Sequence, residues 1–176
     1  IVGYGEGNSL SAHYEDGRIL EQWQDIVYPD ESIRWDRASA SSVLEGNNDR
    51  YGAMNVVDKN PQTAWAEGAA GYGINEWIQI ERDGLENVAR ILISNGYHKS
   101  QELYDKNGKL RKFRLDFSDG QYIYYEVDKD ITSLKNVKVI FNKPVSTNFI
   151  KLTVLDAFGG SKYEDTCITD IVAYSR

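Results

Sequence analysis

With one cysteine, Cys167, the chain has no internal disulfide to staple it. Its apolar character and lack of a neighbouring base fit a small buried residue better than a catalytic thiol. Only His13 and His98 are available as imidazoles, and neither sits in a metal or protease motif. No Ser-His-Asp order, HExxH pair or phosphate-binding loop is present, so the reading is of a domain without catalytic activity. The stretch Gly68–Gly73 is glycine-rich, but no Lys-Ser/Thr pair or helix signal follows it. No apolar run is long enough for a membrane-spanning helix, and no signal peptide opens the chain. The first residue, Ile1, fits a trimmed or mature form. Proline is scarce at 3, and no run of like charges forms a tail.

What is present is a net charge of −7, 12 tyrosines and 15 glycines in 176 residues. A net acidic surface repels phosphate backbones and argues against a nucleic-acid partner. The length suits one domain, 1–176, able to bury a core without staples. Tyrosine and glycine together favour strands and tight turns over helices.

Period-two alternation recurs along the chain, as it does in half-buried strands. Phe113, Leu115 and Phe117 alternate with Arg114 and Asp116. Ile150, Leu152 and Val154 form a second set, and Val137, Val139 and Phe141 a third. Ile78 and Ile80 alternate with Trp77, Gln79 and Glu81, while Arg90–Ser94 reads as a more fully apolar strand. Turn signals stand between them at Asp83-Gly84, Asn107-Gly108, Asp119-Gly120 and Gly159-Gly160. Asp119-Gly120 predicts a tight hairpin, because both residues tolerate positive φ. The pattern predicts an all-β sandwich or jelly roll of about eight main strands. Residues 1–34 read as an N-terminal extension packed on a core of 35–176. Ile19–Val27 fits a short helix or an edge strand, and Ser32–Leu44 a lead-in strand anchored by Ile33, Trp35 and Val43.

One loop carries oxygen ligands at close spacing: Asp58, Asn60 and Thr63, stiffened by Pro61. Such a loop suits a hard cation such as calcium, which takes six to eight oxygens, so a second segment must complete the shell. Asp170 is a candidate if the last strand passes beside the loop. The same residues also suit an Asx-type turn with no metal.

This loop is part of a longer pattern. Ala53, Asn55, Asp58, Pro61, Thr63 and Trp65 are followed much later by Ile168-Thr169-Asp170-Ile171. Together they resemble the discoidin, or coagulation factor 5/8 type C, superfamily. Glu67–Ile78, Asn95–Ser100, Asn107–Lys112 and Gly160–Thr166 extend the resemblance over 35–176, to a subgroup of glycan-binding domains found with secreted NAD glycohydrolases. The resemblance implies a galactose-binding-like jelly roll with a structural calcium. Asp58, Thr63 and Asp170 would serve as side-chain ligands, Asn60 would offer its carbonyl, and Cys167 or a neighbour another. Two departures stand out: Lys59 where the family has glycine after the aspartate, and Asp170 where it commonly has glutamate.

Sugar recognition needs aromatic faces and planar polar groups, and loops at one end of a sandwich supply them. The candidates are Arg50 and Tyr51 in Asn47–Tyr51, Tyr72 in Glu67–Glu76, and Tyr97, His98 and Lys99 in Asn95–Tyr104, with Phe158–Tyr163 nearby. Trp65 and Trp77 flank strands and read as core residues. Tyr97 also fits a strand-end cap, and His98 a solvated loop residue. Function therefore reads as an exported binding module, secreted, cell-surface or periplasmic, and a monomeric part of a larger protein. Its partner is a glycan or, alternatively, a cell-surface or extracellular protein met by an adhesion domain of the same fold.

Overall fold

A computed structural model of the chain describes residues 2–3, 12–13, 32–45, 48–128, 133–134 and 136–175. Most of the expected extension 1–34, the segment Ile19–Val27 and Asn47 lie outside the described residues. Nine strands follow in chain order: β1 Val2–Gly3, β2 Ala12–His13, β3 Arg37–Ala40, β4 Trp65–Ala66, β5 Trp77–Asn95, β6 Lys109–Phe117, β7 Tyr122–Glu126, β8 Asn136–Phe158 and β9 Cys167–Tyr174. Two short helices, α1 Asn48–Tyr51 and α2 Gln101–Lys106, and a 3-10 turn, Ala53–Val57, complete the described elements. All strand pairings are antiparallel, in the order β1-β7-β6-β8-β5-β9-β4, with β2 also on β8 and β3 also on β5.

The expected all-β sandwich is what the chain forms. Its two layers are not separate sheets, because β5 and β8 run through both. The first part of β5 pairs with β3 through Ile78–Glu81, and its last part pairs with β9 through Arg90–Asn95. The register between β5 and β8 slips between Glu81 and Glu86 and again between Val88 and Arg90. Gly84 lies at the first slip with φ 85, a conformation that costs glycine little. Asp83-Gly84, read as a turn, is therefore a bulged bend inside one strand. In the same way Val137–Phe141 and Ile150–Val154, read as two strands, are the two arms of β8.

Alternation places the core as expected. Phe113, Leu115 and Phe117 face inward with Ile150, Leu152 and Val154 from β8 and Ile78 and Ile80 from β5. The opposing layer contributes Ile91, Ile93, Val137, Val139 and Ile171 to the same cluster. Full burial of such side chains is worth about 1.5–3 kcal/mol each, so this cluster is the main source of stability. Trp35 is buried, and Ile33 and Val43 pack partly buried against the same core. Trp65 is fully buried, whereas Trp77 is half-buried under the Lys151 ammonium, 4.5 Å from its ring centre. The Asp119-Gly120 hairpin forms as read. Gly120 has φ 84, Phe117 N–H donates to Gln121 O at 3.0 Å, and Asp119 Oδ1 accepts Gln121 N–H at 2.9 Å.

Two loop regions follow from this framework. Pairing of β4 with the start of β9 brings Asp58–Thr63 beside the last strand. Loops 67–76, 96–108 and 159–166 gather where β5 and β6 begin or end and β9 starts.

Candidate functional site

The 3-10 turn Ala53–Val57 ends at Asp58, and the chain turns sharply at Lys59, whose φ is 55. That is the position where the family pattern has glycine, and a side chain there pays a steric cost. The turn brings Asp58, Asn60, Thr63 and Asp170 into one neighbourhood, as the motif spacing implied. Their oxygens, however, face the loop itself. Asp58 Oδ1 accepts Asn60 N–H at 2.8 Å, and Asp58 Oδ2 accepts the Thr63 hydroxyl at 2.7 Å. Asn60 Oδ1 accepts Gln62 N–H at 3.1 Å, and Asp170 Oδ1 accepts Lys59 N–H at 3.1 Å.

This arrangement corrects the calcium expectation. No group of three or more His, Cys, Asp or Glu side chains able to hold a metal ion exists among the described residues. Only Asp58 and Asp170 bring charge, and the four proposed ligands are committed to a hydrogen-bonded Asx-type turn, short of the six to eight oxygens calcium takes. Burial, and after it the charge of Asp58, push the Asp170 carboxyl up to about 7.

The loop end is built differently, around two buried charged side chains that the sequence reading did not single out. Glu67 is fully buried. Its Oε1 accepts Thr166 N–H at 3.0 Å and its Oε2 accepts Ala69 N–H at 2.8 Å, which ties the 67–76 loop to the entry of β9. Burial raises its carboxyl above the usual range, and the two backbone donors oppose that rise. Gly73, at φ 66, passes so close that a Cβ would lie 2.5 Å from the Glu67 side chain. Lys109 is also buried, and its ammonium donates to Tyr104 O at 2.6 Å and Asn107 O at 2.9 Å. It thereby satisfies carbonyls at the end of α2 while lying 4.5 Å from the Tyr104 ring centre, and burial lowers its pKa. Helix α2 starts with Ser100 Oγ accepting Leu103 N–H at 3.1 Å. Nothing in a lone Glu67 or Lys109 in sequence reveals burial. The nearest signal is the flanking glycine, Gly68 and Gly108.

On this braced frame the predicted contact residues take different positions. Tyr72 is 40% exposed. Its carbonyl accepts the Thr166 hydroxyl at 2.9 Å, and its ring lies against Gly159, where a Cβ would come 2.9 Å from Oη. Tyr163 is similarly exposed on the neighbouring loop, whose backbone is held by Tyr163 N–H donating to Lys106 O at 2.8 Å. Tyr51 is half-buried and meets Tyr97 edge to face at 6.2 Å. Tyr97 itself is only 2% exposed, and its hydroxyl donates to Gln62 O at 2.8 Å. It stands under the loops and supports Tyr51. Arg50 and Lys99 are exposed. His98 is half-buried, with Nε2 3.0 Å from Asn95 O and its ring 5.7 Å from Tyr104. Cys167 is fully buried, and burial pushes its thiol up, far from a reactive thiolate.

Solved structures share this architecture at low identity. The family 32 carbohydrate-binding module of Clostridium perfringens NanJ, in complex with galactose, superposes with a TM-score of 0.60 at 20% identity, covering 78% of this chain and 92% of that one. The lectin domain of lectinolysin complexed with Lewis b antigen gives 0.58 at 16%, covering 81% and 94%. A chitosan-binding module from a Paenibacillus sp. IK-5 chitosanase/glucanase gives 0.57 at 14%, covering 82% and 98%. At these identities the likeness speaks for the fold. No curated protein matches the chain. The family model described as the NAD glycohydrolase translocation F5/8 type C domain matches residues 27–174, and the chain belongs to that family.

Proposed function

We propose that this domain is a non-catalytic glycan-binding module of an exported protein, and that its ligand meets the loop end of the sandwich. The observation that carries this reading is an exposed tyrosine held on a rigid base. Tyr72 is fixed through its carbonyl by Thr166 and through its loop by the buried Glu67, yet the residue stays 40% exposed beside Gly159. A pre-positioned aromatic face loses little freedom when a sugar ring stacks on it, and hydroxyls then take hydrogen bonds from nearby planar or charged groups. Arg50, Tyr51, His98 and Lys99 are the further contacts in this reading, with Tyr97 as the support beneath Tyr51. The structural neighbours hold galactose and Lewis b antigen, which makes carbohydrate the ligand class favoured here.

A glycan array probed with the purified chain tests the reading. Binding to a defined set of glycans is expected, with the signal lost in Tyr72→Ala and reduced in Arg50→Ala and Lys99→Ala. A silent array with a folded protein, alongside capture of a defined extracellular protein, would favour the adhesion role instead.

A further inference from the structure

Four Asp-Gly or Asn-Gly pairs lie among the described residues: Asp83-Gly84, Asn95-Gly96, Asn107-Gly108 and Asp119-Gly120. Such pairs share a chemical weakness. Glycine has no side chain to shield its backbone nitrogen, so that nitrogen can attack Cγ of the preceding side chain. An N–Cγ bond forms, the amide proton passes to solvent, and water leaves from Asp or ammonia from Asn. Water then opens the succinimide at the main-chain carbonyl and leaves isoaspartate, with one more methylene in the backbone. From sequence alone the Asn-Gly pairs react first, because a neutral amide is a better electrophile than an ionised carboxylate.

The fold reverses that order. Attack needs a glycine N–H without an acceptor and a side chain able to swing onto it. Asn95 is 2% exposed; its Nδ2 donates to Leu110 O at 3.0 Å, its Oδ1 accepts Leu110 N–H at 2.7 Å, and Gly96 N–H donates to Cys167 O at 3.0 Å. Asn107 is also buried, with Nδ2 donating to Leu103 O at 2.8 Å and Gly108 N–H donating to Asp165 O at 2.9 Å. In the hairpin, Gly120 N–H donates to Phe117 O at 3.0 Å, and the two Asp119 oxygens accept from Gln121 at 2.9 and 2.6 Å. Asp83-Gly84 stands instead where the ladder is interrupted. β5 pairs with β8 at Glu81 and next at Glu86, which leaves Gly84 without a register partner. Gly84 is exposed, and nothing lies within 4 Å of where its Cβ would stand. The Asp83 side chain is 91% exposed and held by an ion pair to Arg37 at 2.9 Å, a surface contact that restrains it weakly.

We infer that Asp83-Gly84 is a modification site at which the folded domain forms a succinimide and then isoaspartate, while the other three pairs are protected. The extra methylene enters the bend where β5 passes from one layer to the other. The full chain is incubated in neutral buffer, folded or in urea, and its peptides are mapped by electron-transfer fragmentation, which distinguishes isoaspartate by cleavage of its additional main-chain bond. In the folded chain isoaspartate should collect at Asp83 about tenfold faster than at Asp119, whose hydrogen bonds must break before attack. It should also precede any at Asn95 and Asn107, which react only after local opening. In urea the Asn-Gly pairs should overtake Asp83. Asp83→Asn, at an exposed side chain, should lose ammonia about tenfold or more faster than Asn95 and Asn107 in the folded chain. Isoaspartate arising as fast at Asp119, Asn95 or Asn107 as at Asp83, the same order in urea as in the fold, or a new amide at 83 that outlasts Asn95 would overturn the assignment.

Discussion

Replacing Glu67 tests whether a buried carboxylate holds the loop end together. Glu67→Gln keeps the shape but exchanges one acceptor for an NH₂, which must face either Ala69 N–H or Thr166 N–H. One hydrogen bond is lost and two donors confront each other, a cost of about 2 kcal/mol. For a domain of this length each kcal/mol corresponds to roughly 2–4 °C in Tm, so a fall of about 6 °C is expected. Glu67→Ala orphans both N–H groups and leaves a space, and should cost about 4 kcal/mol, or roughly 12 °C. Calorimetry at pH 8, where the ionised form is favoured, reads both values. Hydrogen exchange adds locality: the Ala69 and Thr166 amides should lose protection before those of Leu115 or Leu152 in the core. A Glu67→Gln protein melting within about 1 °C of the wild type would refute the view that Glu67 braces the loops.

Three further outcomes follow from the geometry. The Asp170 carboxyl titrates at about 7 in the fold against 3.8 unfolded, so the folded state holds the proton more tightly and this group's contribution to stability falls as pH rises from about 4 to 7. Asp170→Asn should therefore match wild type near pH 4 in urea denaturation. At pH 8 it should be more stable by about 2 kcal/mol, half the full shift because the group is partly solvated. Lys59→Gly removes a side chain from φ 55 at the expense of an exposed bond to Ser32, and should raise stability by about 1 kcal/mol in the same assay. Lys109→Met leaves Tyr104 O and Asn107 O without their donor, and should cost about 2–3 kcal/mol with early loss of α2 amide protection.

Much of the fold was legible because one rule, alternation, governs it. Phe113–Phe117 and Ile150–Val154 declare their faces in sequence, and both faces are as read. The bend at Asp83-Gly84 was not legible, since a turn and a bulge use the same residues and only pairing distinguishes them. The meeting of Asp58 with Asp170 followed from motif order, but the direction of their oxygens did not. The same Asp, Asn and Thr close an Asx turn or a cation shell, and the hydrogen bonds found here decide for the turn. Tyr97 looked like a contact residue because aromatics in loops often are. Its hydroxyl bond to Gln62 O turns it inward, a tertiary fact without a local signal.

The proposed function rests most directly on Tyr72. Calorimetric titration of wild type, Tyr72→Ala and Tyr97→Phe with a glycan selected on the array measures it. Tyr72→Ala should lose about tenfold or more in affinity at an unchanged Tm, and Tyr97→Phe should keep most of the affinity. Full affinity in a folded Tyr72→Ala protein would contradict the loop-end site.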